Sequence, residues 1–196
     1  MGNLVRHCLG LKRYKVLVIS VANSPCPTAQ SAKNFLHTEF KRRAMAATRA
    51  TIDINAPAQK VFDTITDLHS YPKWLPDSGS FKGTTEISET PVKLGTTYVE
   101  SSPGGVRSGK VIEFERPSKV VFHQPMKLNP ASGGHVIDIK VEVTLKENGG
   151  VTTVERDVYL GLPEPLQSLK EAWDKGASGE SVRVLDLLKK YVESLP

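Results

Sequence analysis

Residues 52–76 read IDINAPAQKVFDTITDLHSYPKWLP, and their pattern decides the fold. Ile52 and Ile54 alternate with Thr51, Asp53 and Asn55, the period of a half-buried strand. Pro57 then falls where a first helical residue is expected, since its missing N–H costs nothing there. Val61, Phe62 and Ile65 recur at helical spacing, so an amphipathic helix runs to about Asp67. Tyr71, Trp74 and Leu75 follow around Pro72, and Pro76 stops any further helix. The segment is therefore a short strand feeding two short helices. Tyr71 and Trp74 are expected at the rim or gate of whatever the fold encloses, though core packing accounts for such aromatics equally well.

Downstream the chain is strand-like. A weak strand is expected over 78–87, then strands over 96–102, 106–115 and 119–124, with Pro103-Gly104-Gly105 and Arg116-Pro117-Ser118 as turns. The clearest strand follows the loop at 128–134. Ile137, Ile139, Val141, Val143 and Leu145 alternate with Asp138, Lys140, Glu142 and Thr144, giving one apolar and one polar face. Asn148-Gly149-Gly150 turns the chain into a returning strand that ends at Leu160. From Leu166 the period is helical, through Leu169, Trp173, Val184, Leu185, Leu188, Tyr191 and Val192. Gly176 and Gly179 predict a kink or looser turn within it. The fold class is α+β: a curved antiparallel sheet of about seven strands wrapped around a long C-terminal helix. One helix cannot cover such a sheet, and the uncovered concave face becomes a cavity unless large side chains fill it.

The chain has 196 residues, 39% of them hydrophobic and 24% charged, and a formal net charge of +5. That charge is unevenly placed. Residues 1–44 hold eight Lys/Arg against Glu39 alone, which leaves 18 basic and 20 acidic residues in the remainder. No basic field marks the 45–196 domain for nucleic acid. Cys8 and Cys26, the two cysteines, also lie in the first 44 residues, so the domain has neither a disulfide framework nor thiol chemistry, as suits the cytoplasm. The basic segment 1–44 is expected to be either a disordered extension or a mitochondrial transit peptide, with Met45 as a second possible start. Its most apolar run, VLVISVA at 16–22, is too short to span a bilayer, and no stable membrane insertion is expected.

The order of elements resembles the START-like helix-grip superfamily, also called SRPBCC, of the polyketide cyclase/dehydrase and lipid-transport type. The resemblance rests on INAPAQKVFDTITD with YPKWLP, on GKVIEFERPSKVVF and on LLKKYVE, and it spans about 50–194. It implies binding or transport of a small hydrophobic partner such as a lipid, sterol or quinone. It also leaves room for an enzyme of the cyclase or dehydratase type acting on polyketide-like substrates. It says nothing about oligomeric state.

Arg156 is the sharpest polar candidate, because it interrupts the stripe Val154, Val158, Leu160. If that stripe faces the cavity, the guanidinium needs a carboxylate or an acceptor-bearing ligand. A twist that lets Arg156 reach the rim is the alternative. Glu100, sharing a face with Tyr98, is a possible partner. Should the protein be an enzyme, His123 or Glu100 would transfer protons and Arg156 would polarise a carbonyl. His123 is otherwise an ordinary strand histidine. The candidate ligand contacts are Tyr71, Trp74, Tyr98, Ile112, Phe114, Ile139, Val141, Arg156, Trp173 and Leu188. No spacing of His, Cys or carboxylates suggests a metal, and no cofactor motif is present.

Overall fold

Eight antiparallel strands form one sheet, and the last helix lies across its concave face in a computed structural model that describes residues 47–196. The expectations for residues 1–44, including Cys8 and Cys26, lie outside the described residues.

Strand β1 (Thr48–Ile54) is followed by helix α1 (Ala58–Thr66), a 3-10 turn (Leu68–Ser70) and the single-turn helix α2 (Tyr71–Trp74). Pro57 is extended and stands just before α1, not inside it. The freed N–H of Ala58 donates to Glu147 Oε2 at 2.8 Å, so a carboxylate from another strand caps the helix. Val61, Phe62 and Ile65 go into the core as their spacing predicts.

The sheet continues as β2 (Thr84–Thr85), β3 (Thr97–Ser102), β4 (Gly105–Glu115), β5 (Lys119–His123), β6 (Met126–Leu128), β7 (Val136–Asn148) and β8 (Val151–Gly161). Its order is β1-β8-β7-β5-β4-β3-β2, with β6 bridging β4 and β7 as the strand beyond the seven expected. The stretch 78–87 pairs only at Thr84 and Thr85. Ser78 Oγ takes the backbone N–H groups of Ser80 and Phe81 at 3.0 and 3.1 Å, which folds the start of that stretch into a turn.

The registers determine which side chains face inward. On β7 the stripe Ile137 to Leu145 is buried, and Val141 and Val143 stand opposite Val158 and Arg156 of β8. Val141 and Val143 also pair with Phe122 and Val120 of β5. On the other side of β8, Arg49 clamps the buried Asp157 through two hydrogen bonds of 2.6 and 2.5 Å and so ties β1 to its neighbour.

After a 3-10 turn (Glu164–Leu169) comes α3 (Lys170–Ser194), which runs unbroken through Gly176 and Gly179. The looser turn expected there does not interrupt it, and a Cβ at either glycine would meet nothing within 4 Å. Its buried residues, Ser181, Leu185, Leu188 and Val192, begin only near its midpoint. The turns before Ser181 stand over the sheet without a buried side chain and leave the space beneath them unfilled.

Candidate functional site: a cavity between sheet and helix

That space is a cavity of about 350 Å³ between the concave face and α3. Ile139, Val141 and Val143 of β7, Val158 and Leu160 of β8 and Phe122 of β5 form its apolar floor. Trp173, Ala177, Val184 and Leu188 of α3 close the opposite side, where the exposed Leu169, Ala172 and Gly176 mark the mouth. Tyr71 and Trp74 make up part of the wall. They are only 9% and 6% exposed and meet edge to face at 5.1 Å, so they are interior wall residues and not a rim or gate.

The polar groups come from four strands or their ends and from the helix. Tyr98 and Glu100 of β3 face Gly109 and Arg107 of β4 across the ladder. Glu100 Oε2 lies 3.7 Å from Arg107 Nη1, which also donates to the carbonyl of Ser80 at 2.8 Å. Burial pushes the Glu100 carboxyl above the usual carboxylate range, against the pull of Arg107 and Arg156. The Tyr98 hydroxyl donates to Gln124 Oε1 at 3.2 Å, and that of Tyr71 to the carbonyl of Ile65 at 2.8 Å. Burial holds both phenols well above their ordinary pKa, so both stay neutral donors.

Arg156 enters from β8 between Val154 and Val158. Its Nη1 donates to Ser181 Oγ, and Ser181 in turn donates to the carbonyl of Ala177 at 2.8 Å. Among the described residues no carboxylate stands within 4 Å of this guanidinium. Burial lowers its pKa, opposed at longer range by Glu180, Tyr71 and Glu100. Glu180, also on the cavity wall, is held by Arg183 at 2.7 and 3.0 Å and by Ser78 Oγ. Of the two readings open for Arg156 in the sequence, the structure has the guanidinium lining the cavity.

Tyr71, Trp74, Tyr98, Glu100, Ile139, Val141, Arg156, Trp173 and Leu188 thus share one cavity. Three candidates do not. His123 projects from the opposite face of β5, 42% exposed, with Nε2 2.6 Å from Asp138 Oδ1. The inward positions of that strand belong to Val120 and Phe122, so His123 cannot join Glu100 and Arg156. In β4 a β-bulge between Val111 and Glu113 leaves Ile112 unpaired. Val111 points in and Ile112 is 39% exposed, while the bulge returns Phe114 to the inward face opposite Val120, where it packs on Phe62 at 5.2 Å and does not line the cavity. Arg107, Gln124 and Glu180 escaped the sequence reading. The first could have been found, since a tight turn at 103–105 places residue 107 opposite Glu100.

Among the described residues no three His, Cys, Asp or Glu side chains gather as a metal site, and no helix is long and apolar enough to cross a membrane.

Similar architectures occur in solved structures. The hypothetical protein jhp0584 from Helicobacter pylori matches with a TM-score of 0.59 at 11% identity, over 89% of this chain and 99% of that one. Protein MLL2253 from Mesorhizobium loti matches with a TM-score of 0.56 at 14% identity, over 76% of this chain and 99% of the other. DynU16, from the dynemicin biosynthetic locus, aligns at 19% identity with a TM-score of 0.49, and this chain spans 47% of its length. At such identities the likeness is one of fold. No curated protein matches by sequence. Residues 45–193 match the family described as polyketide cyclase / dehydrase and lipid transport, and with its sheet wrapped around a C-terminal helix the chain belongs to that START-like, SRPBCC family.

Proposed function

We propose that the protein binds or carries a small hydrophobic molecule in the cavity beneath α3 and does no chemistry on it. The observation that carries this reading is the cavity itself: about 350 Å³ of space with a mainly aliphatic and aromatic wall and a few converging polar groups. A ligand that buries about 300 Å² of apolar surface gains roughly 7 kcal/mol at about 25 cal/mol/Å² before the cost of association, which suits a carrier of modest affinity.

Native mass spectrometry of the full chain purified from its own host tests the proposal. A reproducible small-molecule adduct lost on mild activation is the expected result. Ligand-free protein whose tryptophan fluorescence ignores every hydrophobic probe would count against it.

A second reading, an enzyme of the cyclase or dehydratase type, has one observation in its favour. Glu100 is a buried carboxyl with a raised pKa in the same cavity as Arg156, which would polarise a carbonyl. It has to work without His123, and it predicts that Glu100→Gln abolishes turnover while leaving binding intact. The cytoplasm is the proposed compartment. The mitochondrial quinone or lipid chaperone is the rival, and tagged versions of the full chain and of the chain from Met45 would then localise differently.

A further inference from the structure

We infer that the ligand is a hydrophobic monocarboxylate and that Arg156 receives its carboxylate; this rests on the reading of the cavity as a ligand site. The basis is the pairing of the charges around the cavity. Glu100 has Arg107 at 3.7 Å, and Glu180 has Arg183 at 2.7 Å. Arg107 and Arg183 thus take up the two carboxylates of the cavity wall, Glu100 and Glu180, and Arg156, the other guanidinium of that wall, is left without an ion-pair partner among the described residues.

The hydrogen bonds lead to the same place. A guanidinium presents five N–H donors, and Arg156 uses one side-chain acceptor, Ser181 Oγ. Its cross-strand neighbours are Ala50 and Val143, which offer no side-chain acceptor. The remaining donors face the cavity. The two phenols that share the cavity are neutral and already donate to Ile65 and Gln124, so they supply no negative charge.

The planar fork of an arginine fits a carboxylate through two parallel hydrogen bonds. A neutral carbonyl would accept one bond and leave the charge uncompensated. A phosphate would bring a second negative charge into a site that already faces Glu100 and Glu180. One negative charge on a compact, planar head matches what is left over, and Val158, Val141 and Leu188 offer surface for a hydrocarbon body.

The protein carries its own reporter, because Trp74 and Trp173 are the chain's two tryptophans and both line the cavity. Full-length protein is titrated with decanoate, decanol and decyl phosphate while tryptophan emission is followed. Decanoate is expected to bind at least about tenfold more tightly than decanol. Arg156→Gln should weaken decanoate roughly thirtyfold or more and leave decanol unchanged. Arg156→Lys, which keeps the charge but loses the fork, should fall between them. Circular dichroism verifies that each variant is folded. Equal affinity for decanol and decanoate, indifference of decanoate to Arg156→Gln, or preference for decyl phosphate would overturn the carboxylate assignment while leaving the cavity a ligand site. Silence of all three probes in folded protein would overturn both.

Discussion

The ring of Tyr98 lies flat against the backbone of Gly109, the residue directly across the β3–β4 ladder: a Cβ at Gly109 would sit 2.2 Å from Tyr98 Cζ. The glycine is what lets the ring lie down along the sheet, where its hydroxyl reaches Gln124 and its edge meets Phe122 at 6.1 Å. Together they shape one end of the cavity wall.

Gly109→Ala should therefore push the ring off the sheet, break the Tyr98–Gln124 hydrogen bond and cost about 1–3 kcal/mol through overpacking. Urea denaturation of the single variants and of Gly109→Ala with Tyr98→Ala measures the coupling. The alanine at 109 should cost much less once the ring is gone. Strictly additive effects would mean that the ring does not depend on the glycine.

At the mouth, Gly176 has the opposite character, because a side chain there would meet nothing within 4 Å and would project into open space. Gly176→Ala should stabilise α3 by about 1 kcal/mol. Gly176→Leu should keep the fold and occlude the entrance, lowering affinity for any cavity probe. Gly179→Ala, equally uncrowded but off the cavity wall, should stabilise to a similar degree and leave binding untouched. Thermal melts paired with tryptophan titrations check all three, and a Gly179 variant that impaired binding would refute the distinction.

The fold was legible because three signals were local and redundant: the strand-to-helix switch around Pro57, the unbroken stripe Ile137 to Leu145, and the helical run from Val184 to Val192. The cavity was legible only in part. Arg156 stood out because it interrupts the apolar stripe Val154, Val158, Leu160, although the sequence left open which way that stripe faces. Ile112 was misplaced because a bulge that nothing in VIEFE marks leaves it unpaired and exposed, and Phe114, though inward, packs on Phe62 of α1 and not in the cavity. Glu180 was hidden because it lies beside two glycines, where the helical period is hardest to follow. The pairing of Glu180 with Arg183 and Ser78 depends on how a loop meets a helix, which no local pattern encodes.

Glu100 predicts a particular dependence of stability on pH. Its folded-state pKa is raised by burial, so the folded protein holds that proton more tightly than the unfolded chain. As pH rises from the ordinary carboxylate value to the raised one, folding must take up a proton and stability falls. Below that window the penalty is absent, and above it the penalty is complete. Glu100→Gln removes the titration, so its stability relative to the parent should improve as pH climbs through the window and level off on either side. Denaturation midpoints from about pH 4 to about pH 8 follow this difference. A difference that moved the other way would mean that the pull of Arg107 and Arg156 outweighs burial.

Arg156 gives the clearest separation between a residue kept for stability and one kept for a ligand. A guanidinium that anchored the fold through a carboxylate would be costly to remove, because its partner would be left charged and buried. Here Glu100 and Glu180 keep Arg107 and Arg183 whatever happens at 156, and Ser181 retains its bond to Ala177. What disappears in Arg156→Met is mainly the cost of enclosing a cation among Val143, Val154 and Val158. The ligand-free variant should thus be at least as stable as the parent, by up to about 1–3 kcal/mol, as found when buried ionic groups give way to apolar ones of similar volume. Added ligand should raise the melting temperature of the parent and leave that of Arg156→Met nearly unmoved. Chemical denaturation with and without ligand reads both effects. A ligand-free Arg156→Met that melts well below the parent would make the arginine a structural element of the sheet and helix.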